Sequence, residues 1–414
     1  MDGSGSAVVV VGAGQAGVAA VARLRARGHR GAITLIGDEP VAPYQRPPLS
    51  KDYLKGKMDL ERLTLRAESF YAENDIALRR GTRATAIDRA ARRVHLDDGE
   101  ALAYDHLVLA TGARPRRLPA AAGGGLAGVH CIRTLADVDA MAPEFVAGRR
   151  VLIVGGGYIG LEAAAVAAGL GLSVVVLEAA PRILGRVAAP EVADYFRALH
   201  RAHGVEILEG TGLARLTADA GGRVSGAELA DGRHLAADFA IVGIGVEPET
   251  TLAAAAGLAL DNGIATDDRG QTSDPTIWAA GDCASFPFRG GRVRLESVQN
   301  AIEQAECVAD NILGQDSHYA PLPWFWSDQY DARFQIAGLS TGYERVVIRP
   351  GPTPADGAAP QVAFWYYVGD RLIAVDAIND SRSYLVAKRL LDMGRSADPA
   401  KVADPATDLK SLLA

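Results

Sequence analysis

Two short glycine-rich stretches carry the densest chemistry in this chain. Gly12, Gly14 and Gly17 follow the spacing G-x-G-x-x-G, and Gly155, Gly157 and Gly160 repeat it. Such a turn aims backbone N–H groups and the positive end of a helix dipole at a pyrophosphate, and its bare positions let that group approach closely. Some twenty residues beyond each turn stands an acid able to accept hydrogen bonds from an adenosine ribose: Asp38, with Glu39 beside it as the alternative, and Glu178. A carboxylate at Glu178 would also repel the 2′-phosphate that distinguishes NADPH, so the second turn favours NADH. Arg182 and Arg186 follow closely, and each reads either as a solvated surface arginine or as a ligand for such a phosphate.

The elements that must position these turns are legible around them. Ala7–Val11 is a buried strand running into the first turn, Val18–Arg27 an Ala-rich helix stopped at Gly28, and Ala32–Ile36 a second strand. The run from Val151, the helix Leu161–Leu170 and the strand Ser173–Leu177 repeat the plan, so the chain holds two right-handed βαβ units and should bind two nucleotides. Leu107–Pro115 and Ala240–Pro248 echo each other as strands ending in small-residue turns, and mark crossings between the two duplicated halves. From about Pro321 the texture changes: Trp324, Trp326, Tyr330, Phe334 and Phe364–Tyr367 concentrate aromatics among β-branched residues, which predicts a third, mainly antiparallel domain. Within it Arg349–Gln361, rich in Pro and Gly, reads as a surface loop between two strands.

Composition narrows the classes. The length of 414 residues suits two to three domains, and 49% hydrophobic with 22% charged residues is globular. The net charge of −7 gives no overall field for nucleic acid or an anionic membrane. The start, Met1-Asp2-Gly3-Ser4, lacks a basic leader, and no apolar span reaches transmembrane length, so a cytoplasmic location is expected. Cys131, Cys283 and Cys307 lie far apart, which excludes a disulfide framework and a four-thiolate metal or cluster site, and no metal site is expected.

Several ordered motifs resemble the glutathione-reductase-like flavoenzymes: Val11–Gly17, Arg46-Pro-Pro-Leu-Ser-Lys51, Ala110-Thr111-Gly112, Gly155–Glu162 and Ala280-Gly281-Asp282-Cys283. Within that group Pro43–Lys51, Glu296-Ser-Val-Gln-Asn300 and Pro323–Tyr330 resemble the ferredoxin reductases of bacterial oxygenase systems, over nearly the whole chain. The resemblance implies an α/β fold with two Rossmann-like domains, the FAD domain discontinuous (1–113 and 244–320), an NAD domain (114–243) and a C-terminal α+β domain (321–414) with an antiparallel sheet. It implies FAD against Gly12, Gly14, Ala16 and Gly17, Asp38 on its ribose, the Ala84 backbone near adenine, and Arg133 close to its phosphates. Asp282 would hold the ribityl chain, and Val298 would open a helix facing the flavin pyrimidine. Arg46, Thr111, Gly112 and Gly245 are carried over as further cofactor positions. Lys51 would sit beside the flavin and pair with Glu162 near the nicotinamide, while Tyr158 and Ile159 would line the nicotinamide slot, Tyr158 covering the flavin when NADH is absent. Outside these motifs Lys51, Asp282, Arg133 and Val298 would read as a surface lysine, a turn former, an ion-pair partner and a core residue.

Relatives that reduce disulfides need a reactive cysteine pair after the second strand and a histidine base from the C-terminal domain, and Pro43–Tyr53 contains no cysteine. The route left is hydride from nicotinamide to flavin and then single electrons outward, with Trp326 by resemblance at the flavin's outer face. The acceptor must be a separate carrier, in the family a [2Fe-2S] ferredoxin serving a P450 or Rieske oxygenase of aromatic hydrocarbon catabolism. Arg66, Arg333, Lys388 and Arg389 are candidates for steering it, whereas Glu306 falls where one relative carries arginine. A monomer or weak homodimer is expected. Competing readings are a rubredoxin reductase, an NADH oxidase or a monodehydroascorbate-type reductase on the same scaffold, and a flavin-bound signalling protein resembling apoptosis-inducing factor.

Overall fold

The computed structural model describes residues 5–352 and 359–413; Met1–Ser4, Ala414 and residues 353–358 of the Pro/Gly-rich loop, including Pro354 and Gly357, lie outside the described residues. The chain divides into two compact units, one of residues 1–45, 59–114 and 246–323, the other of 46–58, 115–245 and 324–414.

The first unit is built on a five-stranded parallel sheet in the order Ile277–Ala279, His106–Leu109, Val8–Val11, Ile33–Ile36, Ile76–Arg79. Its strands are near-continuous aliphatic runs because both faces are covered. Val8 and Val10 pack with helices Gln15–Ala26 and Val298–Ile312, while Val9 and Val11 pack toward Val94, Leu96, Leu258 and Cys283. The first helix begins at Gln15, three residues before the apolar periodicity marks it, since the glycine turn itself forms its first turn.

The second unit repeats the plan. Its parallel sheet runs Glu206–Leu208, Ser173–Leu177, Arg150–Val154, Phe239–Val242, Val129–His130. Both sheets place the turn-bearing strand at the centre; the fifth strand comes from later in the chain in the first unit and from earlier in the second. The same unit carries an antiparallel five-stranded sheet in the order Trp324–Gln329, Ala332–Gly338, Arg371–Ile378, Val362–Val368, Arg345–Pro350. Trp365, Tyr367 and Val375 bury one of its faces against Tyr384, Ala387 and Leu390 of helix Ser381–Asp392. The predicted fold class is therefore the observed one, down to the antiparallel third sheet. Among the described residues no helix is long and apolar enough to cross a membrane.

Candidate functional site

The two glycine turns share one construction. Gly12 and Gly155 sit at φ +111° and +112°, where a side chain is strained, and a Cβ on either would lie 2.1 Å from the Ala110 carbonyl oxygen or 2.3 Å from that of Gly243. A Cβ on Gly17 would meet the Gly12 oxygen at 1.9 Å, and one on Gly160 the Gly155 oxygen at 2.2 Å, so helix and strand approach as closely as backbone allows. Gly14 and Gly157 differ from these: nothing among the described residues stands within 4 Å of where their Cβ would be. They are also the N-cap residues of helices Gln15–Ala26 and Tyr158–Gly169, and neither helix end is capped by a side chain. Each turn therefore presents, among the described residues, open space at a helix N-terminus without a side-chain cap, a cradle with the shape and charge a pyrophosphate requires.

In the first unit the remaining predicted positions cluster along the sheet's C-terminal edge. Asp38 is exposed and paired with Arg83 at 3.2 Å, and Glu39 accepts from the Tyr44 hydroxyl at 2.6 Å, so Asp38 is the acid left facing outward. Ala84 opens the antiparallel strand Ala84–Asp88 that follows. The Thr111 hydroxyl donates to the Glu249 carbonyl at 2.6 Å and the Glu249 amide to the Gly112 carbonyl at 2.9 Å, which ties the two echoed crossings together. Gly281, at φ +82°, packs against Ala16 and Ala301, and its amide donates to Gln304. This brings Ala16, the Asp282 loop and the Val298 helix to one place. Ser297 caps that helix through the Asn300 amide.

In the second unit the charged residues converge. Lys51 Nζ lies 2.7 Å from Glu162 Oε2, the predicted pair, and also donates to the Pro47 carbonyl at 3.2 Å. Glu162 is buried, and sequence reading missed two of its partners: Ser50 Oγ donates to Oε2 at 2.5 Å and Ser327 Oγ to Oε1 at 2.6 Å. Both serines stand inside motifs that carry the resemblance, and a buried acid near the start of the helix behind the second glycine turn is the signal that further donors are needed. Arg46 donates to the carbonyl of Arg133, joining those two predicted positions. Tyr158 packs its ring on Phe325 at 4.9 Å, and its hydroxyl is buried without a partner in the described residues; burial raises its pKa. Ile159 is exposed at the turn.

Glu178 turns its carboxylate inward: Oε2 accepts from the Gly156 amide and Oε1 from the Ala180 amide, both at 2.7 Å. Arg182 donates from Nη2 to the carbonyls of Gly185 and Ala188, its buried Nη1 having no partner among the described residues, while the Arg186 guanidinium stands 3.3 Å from where a Gly245 Cβ would be. Trp326 is half-buried beside Trp324, ring centroids 5.8 Å apart.

Of the candidate steering residues, Arg66 belongs to the first unit and Arg333, Lys388 and Arg389 to the second. Arg66 lies over the Phe70 ring, Lys388 pairs with Asp392, Arg389 is exposed on the same helix, and Glu306 pairs with Arg23. The three cysteines carry no disulfide. Burial pushes the thiols of Cys131 and Cys307 up to about 11 and raises that of Cys283 as well, so none is poised as a thiolate.

The sequence profile of the pyridine nucleotide-disulphide oxidoreductases matches residues 6–305, and that of the reductase C-terminal domain residues 324–413. The chain belongs to the pyridine nucleotide-disulphide oxidoreductase family, and it takes FAD and a pyridine nucleotide. It is 42% identical over 411 residues to rhodocoxin reductase of Rhodococcus erythropolis, covering 98% of this chain and 94% of that one. It is 43% identical over 413 residues to putidaredoxin reductase of Pseudomonas putida, covering 98% and 96%. The structure superposes with a TM-score of 0.94 on that of a covalent putidaredoxin reductase–putidaredoxin complex, at 42% identity and over 99% of this chain and 98% of that one.

Proposed function

We propose that this chain is an NADH-dependent, FAD-containing ferredoxin reductase that passes electrons one at a time to a separate [2Fe-2S] ferredoxin serving a P450 or Rieske oxygenase. The observation that carries the reading is that both nucleotide cradles are intact while none of the three thiols is set up to relay electrons. Bound FAD supplies the exchange between a two-electron donor and one-electron acceptors.

The chain's own residues bind and orient. The turn at Gly12, Gly14 and Gly17, with Ala16, Asp38, Ala84, Thr111, Gly112, Asp282 and Val298, holds the flavin nucleotide in a domain of residues 1–113 and 244–320. The turn at Gly155, Gly157 and Gly160, with Tyr158, Ile159, Glu178 and Gly245, holds NADH in a domain of residues 114–243. Residues 321–414 form the C-terminal domain. Arg46 and Arg133 complete the flavin site. Lys51, held by Glu162, offers a positive charge to the flavin, and Trp326 marks the exit. Glu178 favours NADH because its carboxylate is held by two amides beside the turn, where a 2′-phosphate would meet like charge. The protein works in the cytoplasm as a monomer or weak homodimer.

The reading is tested by anaerobic titration of the purified protein with NADH, followed by mixing with [2Fe-2S] ferredoxins and, separately, with rubredoxin or oxygen. Bleaching of the flavin and faster transfer to a ferredoxin than to either alternative are expected. A preparation without flavin, or a flavin that NADH leaves oxidised, overturns it.

A further inference from the structure

Glu162 is the end of a longer polar chain buried within the second unit. Its Oε1 accepts from Ser327 Oγ at 2.6 Å; Ser327 Oγ accepts from Gln329 Nε2 at 3.3 Å; Gln329 Oε1 stands 2.8 Å from His200 Nε2; and His200 Nδ1 stands 3.2 Å from the Tyr330 hydroxyl. Ser327, Gln329 and His200 are each fully buried, whereas Tyr330 is half-buried and stacks on the exposed His203 ring at 3.6 Å.

The direction of every link follows from its terminus. A carboxylate only accepts, so Ser327 donates to Glu162 and must itself accept from the Gln329 amide NH₂. That leaves the Gln329 oxygen as an acceptor, so His200 carries its proton on Nε2 and accepts from Tyr330 at Nδ1. Burial, opposed by the Gln329 bond, lowers the His200 pKa to about 4, which agrees with a neutral ring holding one proton. Four polar side chains taken out of water and aligned end to end are costly unless the alignment serves something, because any reversed or missing link leaves a buried group unpaired. Lys51 and Ser50 both occupy Oε2, so among the described residues Ser327 is the sole side-chain donor to Oε1.

We propose that Ser327, Gln329 and His200 are positioning residues for the Lys51–Glu162 pair: they lock the rotation of the Glu162 carboxylate, hold Lys51 Nζ at one place through it, and so set the charge presented to the flavin. The proposal rests on the flavin reading above. Without Ser327 the carboxylate turns to share its remaining donors between both oxygens, and Lys51 moves with it.

The test uses the FAD-loaded protein with Ser327→Ala, Gln329→Leu, Ser327→Thr, Lys51→Met and the Lys51→Met/Ser327→Ala double variant. Two quantities are read: the limiting rate and Kd for reduction by NADH in anaerobic stopped flow, and the flavin midpoint potential by equilibration with a dye and a chemical reductant. Ser327→Ala and Gln329→Leu should lower the limiting rate about tenfold with Kd within about twofold. They should also disfavour reduced flavin about tenfold, a shift of about 30 mV. Ser327→Thr should restore both, and Ser327→Ala should add nothing once Lys51 is Met.

An unchanged potential in Ser327→Ala, additive losses in the double variant, or loss of flavin on removing this one hydroxyl overturns the proposal. Should Gln329→Leu not fold, the serine variants decide. The potential measurement does not use NADH, so a wild-type protein inert to NADH would sink the proposed function while leaving this measurement to judge the positioning.

Discussion

The two glycine turns are the same backbone device in different surroundings. Aligned on Gly14 and Gly157, the first helix carries Ala19 where the second carries Glu162. The first turn is enclosed by small residues, Ala16, Gly281 and Ala301, and Asp38, the acid proposed for the ribose, is exposed. The second is threaded with buried polar groups: Glu162 with its four donor–acceptor links onward, Glu178 with its oxygens on backbone amides, and Asp376 beneath Tyr366. A turn that only has to hold a nucleotide firmly needs close packing. On the proposed reading the second turn must also orient a nicotinamide, which needs fixed charge, and fixed charge in a core demands a satisfied network.

Breaking each turn separately should produce the largest effects. Gly17→Val drives side-chain atoms into the Gly12 carbonyl and should abolish flavin binding, seen as colourless protein. Gly160→Val should leave a yellow protein whose NADH affinity falls more than about a hundredfold, read by anaerobic titration. The reverse pattern would show that the roles of the turns are exchanged.

The buried groups of the second unit make pH the next probe, because two of them act with opposite signs. Burial, opposed by the Tyr366 hydrogen bond, raises Asp376 to about 7, so the folded state prefers it protonated. Its stability contribution is present below the unfolded value and lost as pH rises toward 7. His200, lowered to about 4, is neutral when folded, and its contribution is lost as pH falls from about 6.5 toward 4. Asp376→Asn, which keeps an acceptor for Tyr366, should stabilise the protein above pH 7 by up to about 4 kcal/mol and leave it unchanged below pH 4. His200→Gln should instead reduce the loss of stability between pH 6.5 and 4. Urea melts across this range check both signs.

Glu162→Ala strands the Lys51 ammonium in a site where its side chain is 15% exposed, and should cost about 3 kcal/mol in urea unfolding, whereas Ala19→Ser in the first turn should cost under about 1 kcal/mol. Glu178→Ala should narrow the preference for NADH over NADPH about tenfold, read as a ratio of kcat/KM values. The smallest effect belongs to Asp38→Asn: its pair with Arg83 is open to solvent and worth under about 1 kcal/mol to stability. Its expected consequence is weaker retention of FAD on dilution.

Much of this was legible because local backbone chemistry is written in short strings. The strands Val8–Val11 and Ser173–Leu177, the turns and the helices behind them follow from aliphatic runs and glycine spacing alone. The Lys51–Glu162 pair was anticipated by resemblance, and the geometry joins them. Ser50, Ser327, Gln329 and His200 went unassigned because hydroxyl, amide and imidazole groups carry no spacing signature when their partners lie more than a hundred residues away. The inward turn of Glu178 was equally hidden: a residue at the ribose position looks the same in sequence whether its oxygens face solvent or the Gly156 amide.

The sequence by itself determined the duplicated α/β plan, the antiparallel third sheet and the lack of a thiol relay, since periodicity, glycine spacing and residue inventory are properties of contiguous chain. Beyond the Lys51–Glu162 pair, only the tertiary structure decided which polar side chains meet. A hydrogen bond depends on ångström-scale approach between segments from opposite ends of a unit, and no local pattern encodes that distance.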